Sequence, residues 1–128
     1  MPETRRGSCH CGAVAFEIEL DNGLIDLRRC GCSLCKRKGA IMTSVPLARL
    51  RVVAGADQLA VYRWNTRTAR HYFCRTCGIY THHQRRSQPG EYGVNVGCLE
   101  GVNPFDLGEI PVGPGAAQSL VQTPTWLE

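Results

Sequence analysis

Gly7-Ser-Cys-His-Cys-Gly-Ala-Val-Ala-Phe-Glu-Ile-Glu-Leu20 joins a pair of metal-ligand residues to a strand. Val14, Phe16, Ile18 and Leu20 alternate with Ala15, Glu17 and Glu19, the period-two pattern of a strand with one buried face. Asp21-Asn-Gly23 follows with turn residues. Just before the strand, Cys9 and Cys11 are set so that two thiolates can turn onto one tetrahedral ion, and Gly12 lets the backbone fold tightly around it.

Outward from this stretch the chain keeps to short strands. Ile41 to Val45 and Leu50 to Val53 are apolar runs separated by Pro46, an edge or break. Leu59, Val61 and Arg63 alternate with Ala60, Tyr62 and Trp64. Arg70 to Phe73 enters a second cysteine pair, Gly78 to His83 leaves it, and Gly93 to Leu99 reads as a further strand. Ser33 to Lys38 has room for one short helical turn before Gly39, but no segment keeps helical periodicity for three turns. The expected fold is all-β, a single domain over residues 1–128. Its core would span about 5–105, with a Gly/Pro-rich segment at 106–128 wrapping the surface. A core of this size needs reinforcement, and structural zinc supplies roughly 10 kcal/mol of apparent binding free energy.

Seven of the eight cysteines fall in close-set clusters. Cys9 and Cys11 with Cys74 and Cys77 make two plus two, enough to close a structural tetrathiolate site that staples distant parts of the chain. Alone, Cys74-Arg-Thr-Cys77 could be a redox dithiol, but that needs a βαβ context that is not visible. Cys30, Cys32 and Cys35 form a group of three. Three protein ligands with an exchangeable fourth is the pattern of a catalytic zinc, and a soft thiolate shell favours a substrate thiolate in the fourth position. The alternative is that Cys98 or one of His10, His71, His82 and His83 closes this shell as a second structural site. His10, between two ligands, is expected to point away from their metal. Cys98, in an apolar strand, reads as a small buried hydrophobe.

Composition bounds the function. Hydrophobic content of 43% and charged content of 20% are those of a folded domain. No apolar run approaches the ~18 residues of a bilayer span, and Met-Pro-Glu-Thr-Arg-Arg6 offers no signal peptide. A cytoplasmic location with no membrane partner is expected, where clustered cysteines are metal ligands rather than disulfides. The formal charge of +4 falls to about +1 once seven thiolates sit on two divalent ions, so charge does not call for a nucleic-acid partner. His82 and His83 with Gln84, Arg85 and Arg86 could gather the carboxylates of an acidic ligand; the other reading is a solvated strand end.

Gly7-Ser-Cys-His-Cys-Gly-Ala-Val-Ala-Phe16, Cys30-Gly-Cys-Ser-Leu-Cys35, Phe73-Cys-Arg-Thr-Cys-Gly78 and Gly93-Val-Asn-Val-Gly-Cys-Leu-Glu-Gly101 resemble, in order, the domain shared by glutathione-dependent formaldehyde-activating enzymes and centromere protein V. The resemblance covers roughly residues 5–105. It implies a β-tent of antiparallel sheets with two zinc ions per chain, one on Cys9, Cys11, Cys74 and Cys77 and one on Cys30, Cys32 and Cys35. It also implies carbon–sulfur lyase chemistry, written in reverse as formation of S-hydroxymethylglutathione from glutathione and formaldehyde. The segment Thr81-His-His-Gln-Arg-Arg86 departs from the founding enzyme.

Two functions follow. In the first, the second zinc, held by Cys30, Cys32 and Cys35, activates a small thiol such as glutathione, and His82, His83, Arg85 and Arg86 hold its carboxylates. In the second, both metals are structural and the domain is a binding module for protein or nucleic acid. The fourth ligand at the three-cysteine group separates them. A weaker third reading is a reductase using Cys98 as nucleophile, which would require an exposed, acidic thiol.

Overall fold

The computed structural model describes residues 2–63 and 69–113. Strand β2 (Ala15–Leu20) carries the alternation of the opening stretch into space. Val14, Phe16 and Ile18 are wholly buried, and Leu20 nearly so. It lies between β1 (Glu3–Ser8) and β5 (Leu50–Ala54) in a three-stranded antiparallel sheet. β1 has no apolar alternation to announce it. It is a largely exposed edge strand carrying an Arg5–Glu3 ion pair, and Gly7 sits opposite Phe16. A Cβ at Gly7 would lie 2.5 Å from Phe16 Cζ, so the tip of the ring occupies the space a side chain would need.

The larger sheet is antiparallel throughout, in the order β4-β9-β8-β7-β6: β4 (Met42–Pro46), β9 (Glu91–Asn95), β8 (Tyr80–Gln84), β7 (Arg70–Cys74) and β6 (Leu59–Tyr62). Phe16, Ile18, Leu20 and Leu50 from the small sheet meet Val45 and Val94 from the large one, with Ile41, Val96 and Leu99 closing the core. Each such side chain contributes roughly 1.5–3 kcal/mol on burial, and Phe16→Ala would cost about 3–5 kcal/mol. Pro46 ends β4 ahead of a short 3-10 turn.

The strand expected from Gly93 to Leu99 stops at Asn95, because the Asn95 side chain accepts a hydrogen bond from the Gly97 amide and caps a 3-10 turn at Val96–Cys98. Trp64, placed in a strand by the sequence pattern, lies outside the described residues, as does the C-terminal segment from 114 onward. What precedes residue 114 does return to the body. β10 (Val112–Gly113) pairs in parallel with β3 (Arg29–Cys30). The helical turn expected before Gly39 is α1 (Ser33–Lys38), stopped by Gly39 at φ 66°. No helix among the described residues is long and apolar enough to cross a membrane.

Candidate metal centres and the polar face beside them

Two hairpin-like turns bring the first cysteine group together. At one, Cys9 N donates to Val14 O and Val14 N donates back to Cys9 Sγ at 3.3 Å. At the other, Gly78 N donates to Cys74 O and Thr76 N donates to Cys74 Sγ at 3.3 Å. Gly12 at φ 83° and Gly78 at φ 79° make both turns possible. The Sγ atoms of Cys9, Cys11, Cys74 and Cys77 lie within 4.8 Å of one another. Cys9 to Cys11 is 3.6 Å and Cys11 to Cys74 is 3.7 Å. Four sulfurs at about 2.3 Å from a tetrahedral zinc stand about 3.8 Å apart, so the set fits the ion. Amide donors favour thiolates here. The Cys11 and Ile79 backbones lower Cys77 to about 6, and the Cys77 and Thr76 backbones lower Cys74. Cys9, Val14 and Cys74 form a small buried cluster of their own, with Leu59 against it.

The second group is local. Cys32 is the N-cap of α1, its Sγ accepting from Cys35 N at 3.2 Å, while Cys32 N approaches Cys30 Sγ at 3.5 Å. The three Sγ atoms again lie within 4.8 Å of one another. Hydrogen bonds from the Cys30 and Cys35 thiols and the Cys35 amide hold the Cys32 thiol far below its usual range. Cys30, Cys32 and burial push Cys35 far up. Three thiols this close cannot all ionise without a cation between them. That donor set suits a soft divalent metal. Among the described residues, the group of mutually close donors has these three members, with neither Cys98 nor a histidine in it. All eight cysteines are free thiols.

Lys38, at the end of α1, links this group to the large sheet. Its Nζ donates to His71 Nδ1 at 2.9 Å and sits 3.6 Å above the centre of the Tyr80 ring. Burial lowers Lys38 to about 8, while the charges of Cys35, Cys32 and Cys30 favour its ammonium form. His71 stacks on His83 at 5.0 Å, and Tyr80 Oη lies 2.6 Å from His83 Nδ1. Burial, reinforced by Lys38, keeps both histidines neutral, His71 at about 3 and His83 well below its usual value.

The strand register extends this face. His71 is opposite His83, His83 opposite Gly93, and Gly93 opposite Ser44, a row across four strands. Gly93 is the hollow in the row, since a Cβ there would stand 2.4 Å from His83 Cε1. Beyond it, Arg28 Nη1 donates to Ser44 Oγ at 2.6 Å and to Asp26 Oδ2 at 2.9 Å. Arg85 Nη1 pairs with Glu91 at 2.8 Å and reaches Asp26 at 3.7 Å. Burial and the nearby Arg85 charge both lower Arg28.

The residues expected after the second CxxC separate here. His83 and Arg85 lie on the polar face; Arg86 is exposed. His82 points into the core, stacked on Tyr72 at 4.7 Å, edge-on to Tyr92 at 5.1 Å, and bonded to Thr81 Oγ1. His10 is exposed. Cys98 is half-buried with its Sγ 3.5 Å from Tyr80 O, and burial raises it to about 12, the reverse of an activated nucleophile. Lys38, Tyr80, Arg28 and Ser44 are absent from the candidate ligands read from the sequence, and His71 enters there only as a possible fourth metal ligand, whereas here it accepts from Lys38 Nζ. The one available signal is Lys38 at helical spacing from Leu34, which stands next to Cys35, a candidate metal ligand.

The fold and these two thiol groups define a small β-protein equipped to hold two soft metal ions. The sequence profile of the glutathione-dependent formaldehyde-activating enzymes matches residues 4–108. A crystal structure of a Rhodobacter sphaeroides protein superposes with a TM-score of 0.81 at 65% identity, over 84% of this chain and 98% of that one. The chain belongs to the glutathione-dependent formaldehyde-activating enzyme family.

Proposed function

We propose that this protein is a zinc-dependent enzyme of carbon–sulfur lyase type that joins a small thiol to an aldehyde carbon, with glutathione and formaldehyde as the family's pair. The observation that carries the reading is the three-membered thiol group of Cys30, Cys32 and Cys35 beside a polar face rich in cations. Cys9, Cys11, Cys74 and Cys77 hold a structural zinc; Cys30, Cys32 and Cys35 hold the second. When bound, the second ion lowers a thiol's pKa and keeps the sulfur ionised at neutral pH.

The chain's own residues do the rest. Arg28, Arg85 and Arg86 offer guanidinium donors to the thiol's carboxylates. Arg85 already meets Glu91, Asp26 and Ser44 through Nη1, so Asp26 and Glu91 fix its orientation. Neutral His83 adds an imidazole to the same face, while His82 packs in the core with Tyr72 and Tyr92. The site belongs to a protein expected in the cytoplasm, where such thiols are abundant and reduced.

Cobalt substitution tests this. Glutathione entering the coordination shell of the second ion should change the visible ligand-field spectrum, because a thiolate replaces a weaker ligand. Arg85→Ala with Arg86→Ala should weaken that response by about 1–3 kcal/mol per lost charge-assisted contact. Saturating glutathione with no spectral change, in protein retaining both metals, would remove the enzyme reading and leave the zinc-stabilised binding module.

A further inference from the structure

A cavity of about 340 Å³ opens between α1 and the β6–β7 edge of the large sheet. Leu34 and Lys38 from the helix face Val61 and Tyr62 of β6, Phe73 of β7 and Tyr80 of β8 across it. Leu34 precedes Cys35 in the chain, and Lys38 follows one helical turn after Leu34. The cavity therefore lies against the helix that carries Cys35 and is capped by Cys32.

We propose that this cavity is the aldehyde subsite, and that it takes an aldehyde bearing an aromatic or branched apolar substituent rather than formaldehyde alone. The proposal rests on the thiol–aldehyde reading above and names its substrate class. Size is the first argument. An apolar cavity of about 150 Å³ is enough to bind benzene, and ligand sites begin at about 300 Å³. Formaldehyde, with one carbon, would leave nearly all of this space unused. Lining chemistry is the second. Aliphatic and aromatic side chains dominate, and Lys38 Nζ is a fixed donor among them, held by His71 at 2.9 Å and by the Tyr80 ring. Many apolar walls with a few placed polar groups fit a hydrophobic substituent attached to one oxygen function.

The chemistry balances without a redox partner. A sulfur lone pair of the ionised thiol forms the C–S bond to the carbonyl carbon, and the C=O π pair moves onto oxygen. That oxygen accepts a hydrogen bond from Lys38 Nζ and takes a proton from solvent, which had received one when the thiol ionised. The product is a hemithioacetal, and the reverse direction is the lyase reaction.

Two readouts on the two-zinc protein test the assignment. The first is binding of 4-fluorobenzoate, an unreactive aromatic oxyanion, followed by fluorine NMR. The second is catalysed exchange between free and glutathione-bound aldehyde, followed by NMR for benzaldehyde and for formaldehyde. Val61 is half exposed on an edge strand, so Val61→Trp should fold, with Val61→Phe as the milder variant. 4-Fluorobenzoate should bind to the wild type and lose about tenfold in affinity in Val61→Trp and in Lys38→Met. The benzaldehyde-to-formaldehyde ratio of exchange rates should exceed one and fall about tenfold on filling the cavity. If formaldehyde exchange is catalysed but 4-fluorobenzoate does not bind, or binds the wild type and both Val61 variants equally, the subsite assignment falls and the reaction stands. If the probe behaves as expected but no aldehyde exchange is accelerated, the reaction is wrong and the aldehyde assignment goes with it.

Discussion

His82 and His83 are neighbours in sequence and occupy opposite faces of one strand, and most of what separates them follows from that alternation. His83 is on the polar face with Lys38 and Arg85; His82 is 2% exposed among Phe16, Tyr72 and Tyr92. Burial depresses His82 to about 4 from its usual 6.5. As pH falls through about 6.5 the unfolded chain takes up a proton that the folded chain refuses until about pH 4, so stability present at neutral pH is lost on acidification. In His82→Phe that loss is absent. Measured by urea unfolding with zinc present, the variant should gain on wild type by about 2 kcal/mol between pH 7 and pH 5. The lost hydrogen bond to Thr81 would offset the two curves equally. A gap unchanged with pH would mean that His82 titrates normally in the fold. Gly93→Ala drives a methyl into the His83 ring, and overpacking of this kind should cost about 1–3 kcal/mol in the same assay. An unchanged unfolding midpoint would show that the ring can move aside.

At the scale of elements, the helical turn and its cysteines were legible, but their anchor was not. Ser33 to Lys38 reads as a turn ended by Gly39, and α1 occupies those residues. The strands with apolar alternation, β2 above all, were equally plain. β1 was not, because an exposed edge strand of Glu, Thr and Arg has no buried face to leave a pattern. The polar row of His71, His83, Gly93 and Ser44 was hidden for another reason: it exists only in the register between four strands, which no local pattern specifies. The role of the chain's later part was hidden too. Gly31 N donates to Gly113 O at 3.0 Å and Arg29 N to Pro111 O at 2.8 Å, so β10 grips the loop that carries Cys30 and Cys32. Truncation after Gly108 should therefore leave the two larger sheets intact in far-UV circular dichroism. It should weaken binding of the second metal by about tenfold or more, since the ligand loop loses its backbone partners. Equal affinity for both metals in the truncated and full chains would show that the cysteines position themselves.

The whole molecule joins its two thiol groups to the fold in unequal ways. The first joins the turn before β2 to the turn after β7, with Cys11 and Cys74 63 residues apart in the chain. Two of its thiols, those of Cys9 and Cys74, lie with Val14 in a small buried cluster. The second ties together residues 30–35 alone. Loop closure makes the difference energetic: closing a long loop removes more unfolded-state freedom than closing a short one, and structural zinc adds roughly 10 kcal/mol of apparent binding free energy where the fold depends on it. Chelator titration should then proceed in two stages. The ion on Cys30, Cys32 and Cys35 should leave first with the circular dichroism unchanged. The ion on Cys9, Cys11, Cys74 and Cys77 should leave second, with cooperative loss of the β signal. Single substitutions should divide the same way, Cys32→Ser folding with one metal and Cys77→Ser failing to fold cooperatively. Loss of both ions in one step together with the structure, or a Cys77→Ser protein that melts as wild type does, would show that the two groups do not divide into a staple and a local site.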